Sequence, residues 1–320
     1  MRKILAVLCA IAAFGASAQE YPSRAVRVIV PYAPGGSTDI LTRILAQKLT
    51  ARLGQSVVVE NRPGANGIIG TDLVAKGSAD GYTILMATNG QTISMGGLYA
   101  SVPWDLERDF VPIINVAAMP NLIVVHPSQS AKTLQELIDA AKAAPGKLSY
   151  AHAGIGSPQH MAGELFKLVT KANIVGVPYK GGGPAVADTV GGTVTVAVAG
   201  IPAASQHVAS GRLRALAATS IKRTPLLPDL PTVAESGYPG FDAIFWIALV
   251  APRNDPPAVV QRLNTETNAI LRDPEVEKQF SVQGATPAGG TPSELAAYIR
   301  KDIETWTRVI KEANIKANAS

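Results

Sequence analysis

Short apolar runs alternate with helix-period segments along nearly the whole chain, and that alternation restricts it to α/β architectures with mostly parallel sheets. The runs read as strands are Val26–Val30, Val57–Glu60, Thr83–Ala87, Leu122–Val125, Leu148–Ala151, Ile174–Val177, Val194–Ala199, Leu213–Ala217 and Phe245–Val250. Helical patterns fit between them; in the first, Ile40, Leu41, Ile44, Leu45, Leu49 and Leu53 share one face. Thr133–Glu136 and Thr291–Glu294 are capping boxes, the second with proline at the first helical position. The Pro-rich stretch Thr224–Pro239 reads as a long connection.

Three junctions share an unusual chemistry. VRVIVPYAPGGSTDILTRILAQKL (26–49) runs from a buried strand through Gly35 and Gly36 directly into a helix. Ala153-Gly154-Ile155-Gly156-Ser157-Pro158 does the same after LSYAH, and Pro178-Tyr179-Lys180-Gly181-Gly182-Gly183 echoes the first. The first N–H groups of a helix lack intrahelical partners, the dipole is positive there, and glycine allows an anion close to the backbone. Each junction is either plain connection or half of an anion cradle, and Ser37 or Ser157 either caps its helix or donates to a ligand.

The ends and the composition narrow the choices. Arg2 and Lys3, an apolar core from Ile4 to about Phe14, and Ala16-Ser17-Ala18 read as a secretory leader removed after Ala18. Cys9, the one cysteine of the 320 residues, falls inside that leader, so a thiol nucleophile and a disulfide are excluded from the mature chain. Losing Arg2 and Lys3 lowers the 29 basic residues to 27 against 24 acidic ones, too mild a surplus for nucleic-acid binding. There is no Gly-x-Ser-x-Gly elbow and no Walker lysine, and His126, His152, His160 and His207 occur at no metal-ligand spacing. No cofactor is expected. Asp39 and Arg43 have the spacing of a solvated surface pair on a helix, and His160 either reaches a ligand or packs.

PYAPGGSTDILTR, ENRPGANGIIGTD, AKGSADGYTILMAT, AHAGIGSPQHMAGELF, VPYKGGGPAVADTVGG and PDLPTVAESGYPGFD, in this order, resemble the Bug-type solute receptors of tripartite tricarboxylate transporters. The resemblance covers nearly the whole mature chain. It implies a two-lobed periplasmic binding protein of type II-like fold, with a hinge between two sheets flanked by helices. Lobe 1 would comprise 20–120 with 228–320, and lobe 2 would comprise 121–227. It further implies a small carboxylate ligand held between the lobes (a di- or tricarboxylate, an amino acid or an aromatic acid) and a membrane permease as partner.

Carried onto this chain, the resemblance puts Tyr32, Ala33, Gly35, Gly36, Ser37, Thr38 and Asp39 on one wall, with Asn89 and Thr92 beside them. The facing wall would hold Ala153, Gly156, Ser157, Tyr179, Lys180 and Ala203. Ser37, Thr38, Asn89, Thr92 and Ser157 are the expected side-chain donors in a site gripped largely by backbone N–H groups and water. Tyr32, Tyr179 and Trp246 would shape the apolar part, although Tyr179 and Trp246 also fit ordinary packing. Lys180 either pairs with a second carboxylate or faces solvent. A sensor subunit of the same fold, and an exported hydrolase using Ser157 and His160, are the alternatives.

Overall fold

A computed structural model describes residues 21–312 and 315–316; the expected leader lies outside the described residues. The first half of the architecture is a sheet ordered β2 (Val57–Asn61), β1 (Val26–Val30), β3 (Thr83–Thr88), β9 (Ile244–Pro252) and β4 (Phe110–Val125). A short β10 (Thr286–Gly289) lies antiparallel on β4. The second half takes up the far end of β4, which pairs antiparallel with β7 (Val196–Gly200) and β8 (Arg214–Ala218). β7 continues parallel to β5 (Leu148–His152), and β5 parallel to β6 (Ile174–Pro178).

The helices are α1 (Ser37–Leu53), α2 (Ile68–Ala75), α3 (Asn89–Ile93), α4 (Leu134–Ala143), α5 (Pro158–Thr170), α6 (Gly182–Val190), α7 (Ile201–Ala209), α8 (Pro257–Leu271), α9 (Pro274–Ser281) and α10 (Pro292–Glu312). Among the described residues, none is long and apolar enough to cross a membrane.

Both sheets are mixed rather than mostly parallel. The strand–helix–strand crossovers generate the parallel pairs β1–β2, β1–β3, β5–β6 and β5–β7. The strands that carry the chain between halves, β4 and β9, are antiparallel to their neighbours. β4 is 16 residues long, far beyond the expected Leu122–Val125. Its first part carries Pro112 and Pro120, and its register against β9 shifts between Pro112 and Ile114 and again between Asn115 and Ala117. Proline cannot donate to a ladder and bulges reset the period of two, so the alternation that marks a strand is erased there.

Two cores lie under the two halves. In α1, Leu41, Leu45 and Leu49 recur at helical spacing and are fully buried against Val28, Val30 and Ile84, each contributing roughly 2 kcal/mol. Gly54 then stops the helix with φ 68°. In the second half, Leu137, Ile138 and Phe166 pack on Tyr150 and Val196. Thr133 caps α4 by accepting the Glu136 N–H at 3.2 Å. Thr291 and Glu294 form the full reciprocal box at the start of α10.

The boundary expected at residue 228 falls later. Val233, Phe241 and Ala243 belong to the same apolar cluster as Leu137 and Phe166, so the Pro-rich connection packs on the second half. The chain re-enters the first sheet only at Ile244.

One buried threonine ties the crossings together. Thr219 Oγ1 accepts the Asn121 N–H at 2.9 Å and donates to Ala243 O at 2.8 Å. Its own N–H donates to Asn121 O at 2.9 Å, and its carbonyl accepts the Ala243 N–H at 2.8 Å. Asn121 and Thr219 are both fully buried, so water cannot replace a lost partner. Thr219→Val keeps the shape but strands the Asn121 N–H and leaves the Ala243 carbonyl only a long 3.5 Å bond from Asn121 Nδ2; the expected loss is about 1–3 kcal/mol in urea unfolding, with Thr219→Ser far milder. Equal midpoints for Thr219→Val and the parent would show that the node does not hold the crossings.

Candidate functional site

The three glycine junctions converge. Gly36, Ser37 and Thr38 at the start of α1, Ala153, Pro158 and Gln159 at the start of α5, and Gly182 at the start of α6 line one cavity between the halves, closed by Tyr32 and Phe245. Three helix N-termini with their positive dipole ends therefore meet at one space; α5 opens with Pro158, which has no N–H, and commits its His160 N–H to Ser157, so the free N–H groups belong mainly to α1 and α6. Among the described residues, no charged side chain lines it. Its volume is about 20 Å³, room for roughly one water.

Each junction is held by interactions behind the cavity. At the first, Gly35 adopts φ 80° and donates its N–H to Asp39 Oδ2 at 3.0 Å. Asp39 is buried and also accepts from Arg43 Nε and Asn61 Nδ2, each at 3.0 Å, while Asn61 Nδ2 reaches Tyr32 O at 3.0 Å. Burial raises the Asp39 pKa, but donation from Arg43, Gly35 and Asn61 outweighs it and holds the carboxyl below its ordinary range. Asp39 is thus a buried brace for the glycine turn and not half of a solvated pair.

At the second junction, Ser157 is fully buried and caps α5, accepting the His160 N–H at 3.1 Å. His160 Nδ1 accepts the Gly156 N–H at 3.1 Å, so its proton sits on Nε2. The hydroxyl serves the His160 backbone and the ring serves Gly156; the two do not form a nucleophile–base couple. The His152 and His160 rings pack with centroids 4.6 Å apart and planes tilted by 36°. Burial, and then the neighbouring His160, pushes His152 down to about 3; burial lowers His160 to about 4.

At the seam itself, backbone meets backbone. The Ala33 N–H donates to Lys180 O at 3.1 Å, across the junction of the two halves. A Cβ placed on Gly36 would stand 3.4 Å from Gly182 N, and one on Gly183 would collide with Pro34 O and reach 3.0 Å from Gly35 C. Tyr99 adds a second tie, its hydroxyl donating to Ile155 O at 2.6 Å.

Several expected residues sit elsewhere. Thr92 Oγ1 bonds Asn89 O at 2.9 Å and the Asp302 carboxylate of α10, away from the cavity. Asn89 Nδ2 donates to Ile244 O at 2.9 Å. The Tyr179 hydroxyl donates to Asp188 at 2.8 Å, Ala203 packs on the outer side of the second core, and the Lys180 side chain faces solvent. Trp246 packs edge-on against Tyr298, centroids 5.7 Å apart, on the opposite face from the cavity. Its neighbour Phe245 lines the cavity instead, because successive side chains of a strand alternate faces. Gln159 was missed as well; it lines the cavity while donating to Asn121 Oδ1 at 3.1 Å, joining the site to the crossing node.

A two-lobed α/β body whose lobes close backbone-to-backbone over a pocket of helix N-termini is the architecture of a solute-binding receptor. The chain belongs to the tripartite tricarboxylate transporter receptor family, whose model matches residues 41–315. It is 42% identical over 301 residues to the protein BugT of Bordetella pertussis, covering 94% of this chain and 92% of that one. The solved structure of Rpa4515 from R. palustris with adipate matches with a TM-score of 0.90 at 37% identity, over 93% of this chain and 99% of that one. MatC of Rhodopseudomonas palustris with bound malate matches with a TM-score of 0.86 at 30% identity, over 91% of this chain and all of that one (100%). The family is one of periplasmic solute receptors and not of enzymes.

The histidine pair has a definite pH signature. Both folded pKa values lie below the unfolded value of about 6.5, so their contribution to stability is complete above that pH and is lost as pH falls toward 3. Buried Asp255 and half-buried Asp302, raised by desolvation to about 6, work in the opposite sense: their contribution is complete below about 3.8 and fades as pH rises through 6. The two effects offset each other in an unfolding curve, so the rings must be observed directly. The His152 and His160 resonances should keep neutral-imidazole shifts from pH 8 down to about pH 5 in an NMR titration. Titration of either ring near 6.5 would contradict its burial and the Gly156 bond.

Proposed function

We infer that this chain is an exported receptor that captures a small organic carboxylate between its lobes and hands it to a membrane permease of the tripartite tricarboxylate type. Its lobes are taken as 21–120 with 244–312, and 121–243. The expected leader, cleaved after Ala18, would deliver it to the periplasm. One observation carries the reading: three helix N-termini, from both lobes, open into one cavity with no charged side chain among the described residues. That arrangement suits an anion bound by N–H groups and dipoles. The solutes in the Rpa4515 and MatC structures, adipate and malate, are both small carboxylates.

The mechanism follows from closure. A space of about 20 Å³ cannot hold a dicarboxylate, so the lobes must part to admit it and close around it to a somewhat wider cavity than the one seen here. On reclosing, the carboxylate loses water and regains donors from the openings of α1 and α6 and from the Ser37 and Thr38 hydroxyls. Contacts to both lobes exist only in the closed form, so the solute shifts the population toward it. Ser157 and Thr92 act behind this shell, since their hydroxyls are engaged with protein; Asn89 donates its Nδ2 to Ile244 O, while its Oδ1 is buried without a protein partner.

A thermal-shift panel of mono-, di- and tricarboxylates, amino acids and aromatic acids tests the reading. A solute at about a hundred times its Kd adds roughly 2.7 kcal/mol and should raise Tm by several degrees. Gly183→Ala should melt close to the parent without solute, since alanine suits a helix better than glycine by about 0.5–1 kcal/mol, yet lose most of that shift because the lobes cannot close. Silence across the panel would defeat the carboxylate reading; an undiminished shift in Gly183→Ala would defeat closure at the glycine seam.

A further inference from the structure

The lobes also meet away from the cavity, through apolar side chains. Leu98, Trp306 and Ile310 of lobe 1 share one buried cluster with Met161 of lobe 2, and Ile155 of lobe 2 packs against it. None of these residues lines the cavity. Met161 is fully buried. On the same helix, Ala162 and Phe166 lie one turn apart on a single face and join the core of their own lobe. Met161 points about 100° away from Ala162 and joins the cluster of the other lobe instead.

Lobe 1 meets Met161 with a shaped surface. After α3 the chain makes one wide π-type turn over Ser94–Leu98, passing through Gly97 at φ 98°. Such turns are uncommon and are frequently found at functional sites. Gly96 sets this turn against α10, since a Cβ there would stand 3.1 Å from Thr307 N. Leu98 is thereby laid on lobe 2, where a Cβ on Gly156 would stand 2.5 Å from its Cδ2. The Tyr99–Ile155 bond lies beside this contact. Beyond α10 the chain follows lobe 2, and Ile315 lines a cleft there with Ile155 and His160.

We propose that this cluster is an apolar latch that favours the closed form without touching the solute, and so sets how tightly every solute is held. The proposal rests on the carboxylate-receptor reading and adds a closing element outside the cavity. Pro158 and Gln159 at the opening of α5 line the cavity, and Met161 fills the cluster from the same turn. A solute that draws in the opening of α5 therefore also seats Met161. Contacts between lobes are lost when the lobes part, so the apolar surface in the latch meets water only in the open form. Closure crowds helix ends of like partial charge, and burial in the latch offsets that repulsion. Apparent affinity scales with the fraction of molecules in the closed form, so a weakened latch lowers affinity for all solutes by one factor.

Calorimetric titration with malate, adipate and each acid that raises Tm in the carboxylate panel tests this. Met161→Ala should weaken binding about tenfold, by a common factor across the acids, while Met161→Leu, which keeps the volume, stays within about twofold of the parent. Leu98→Ala, on the other lobe, should give the same loss without altering α5. Produced from Gln19 onward the chain has no cysteine, so spin labels at Ser78→Cys and Lys142→Cys, both exposed and on different lobes, report lobe separation directly. Unchanged affinity in both alanine variants overturns the latch, and so does a loss that differs between acids by more than about threefold, which would place the residues at the solute. Either result leaves the receptor reading standing. Absence of binding by every acid defeats the receptor reading, and the labels then decide the latch alone: wider lobe separation in Met161→Ala supports it, and separation equal to the parent overturns it.

Discussion

Contact between glycine backbones is the constraint on which the site depends. Pro34–Gly36 on one lobe and Gly181–Gly183 on the other approach until a single added Cβ at Gly183 would collide. Only then can the openings of α1 and α6 face each other across a few ångströms, with α5 beside them. Each helix end carries roughly half a positive charge, so bringing three together is unfavourable without an anion between them. If the cavity takes the proposed carboxylate, the charge that attracts it also makes closure depend on it. Affinity and closure are therefore two views of one electrostatic balance.

Around this seam, side chains with polar groups act mainly as braces. Asp39 gathers the Gly35 N–H, Arg43 and Asn61; Ser157 and His160 fix the second turn; Thr88 and Gln91 cap α3 reciprocally beside Tyr32. These bonds stay within one lobe and so can persist when the lobes part. Gln159 differs, since it lines the cavity and donates to Asn121 at the crossing node. A side chain placed so can transmit what occupies the cavity to the strands that bend.

Much of this was legible in the residues. The three strand–glycine–helix junctions, the leucine face of α1 and the capping threonines all follow from local chemistry: period, capping and turn preference act over a few neighbouring residues. The first part of β4 was not legible, because Pro112, Pro120 and two register shifts erase its alternation. Phe245 was passed over for Trp246 because a strand pattern fixes that neighbours alternate but not which face meets the cleft. Thr92 and Tyr179 looked like site residues by position, but their partners, Asp302 and Asp188, could not be assigned from sequence.

By itself, then, the sequence determined most strand and helix segments, the glycine turns with their anion-binding chemistry, and, through its motifs, the receptor family. Tertiary structure alone decided that the three turns share one cavity, that Asp39 and Ser157 support it from behind, and that Met161 of one lobe enters the apolar cluster of the other. The physical reason is range. Capping and turn geometry are settled within about four residues along the chain, whereas a cleft forms from segments more than a hundred residues apart, brought together by two cores and a hinge.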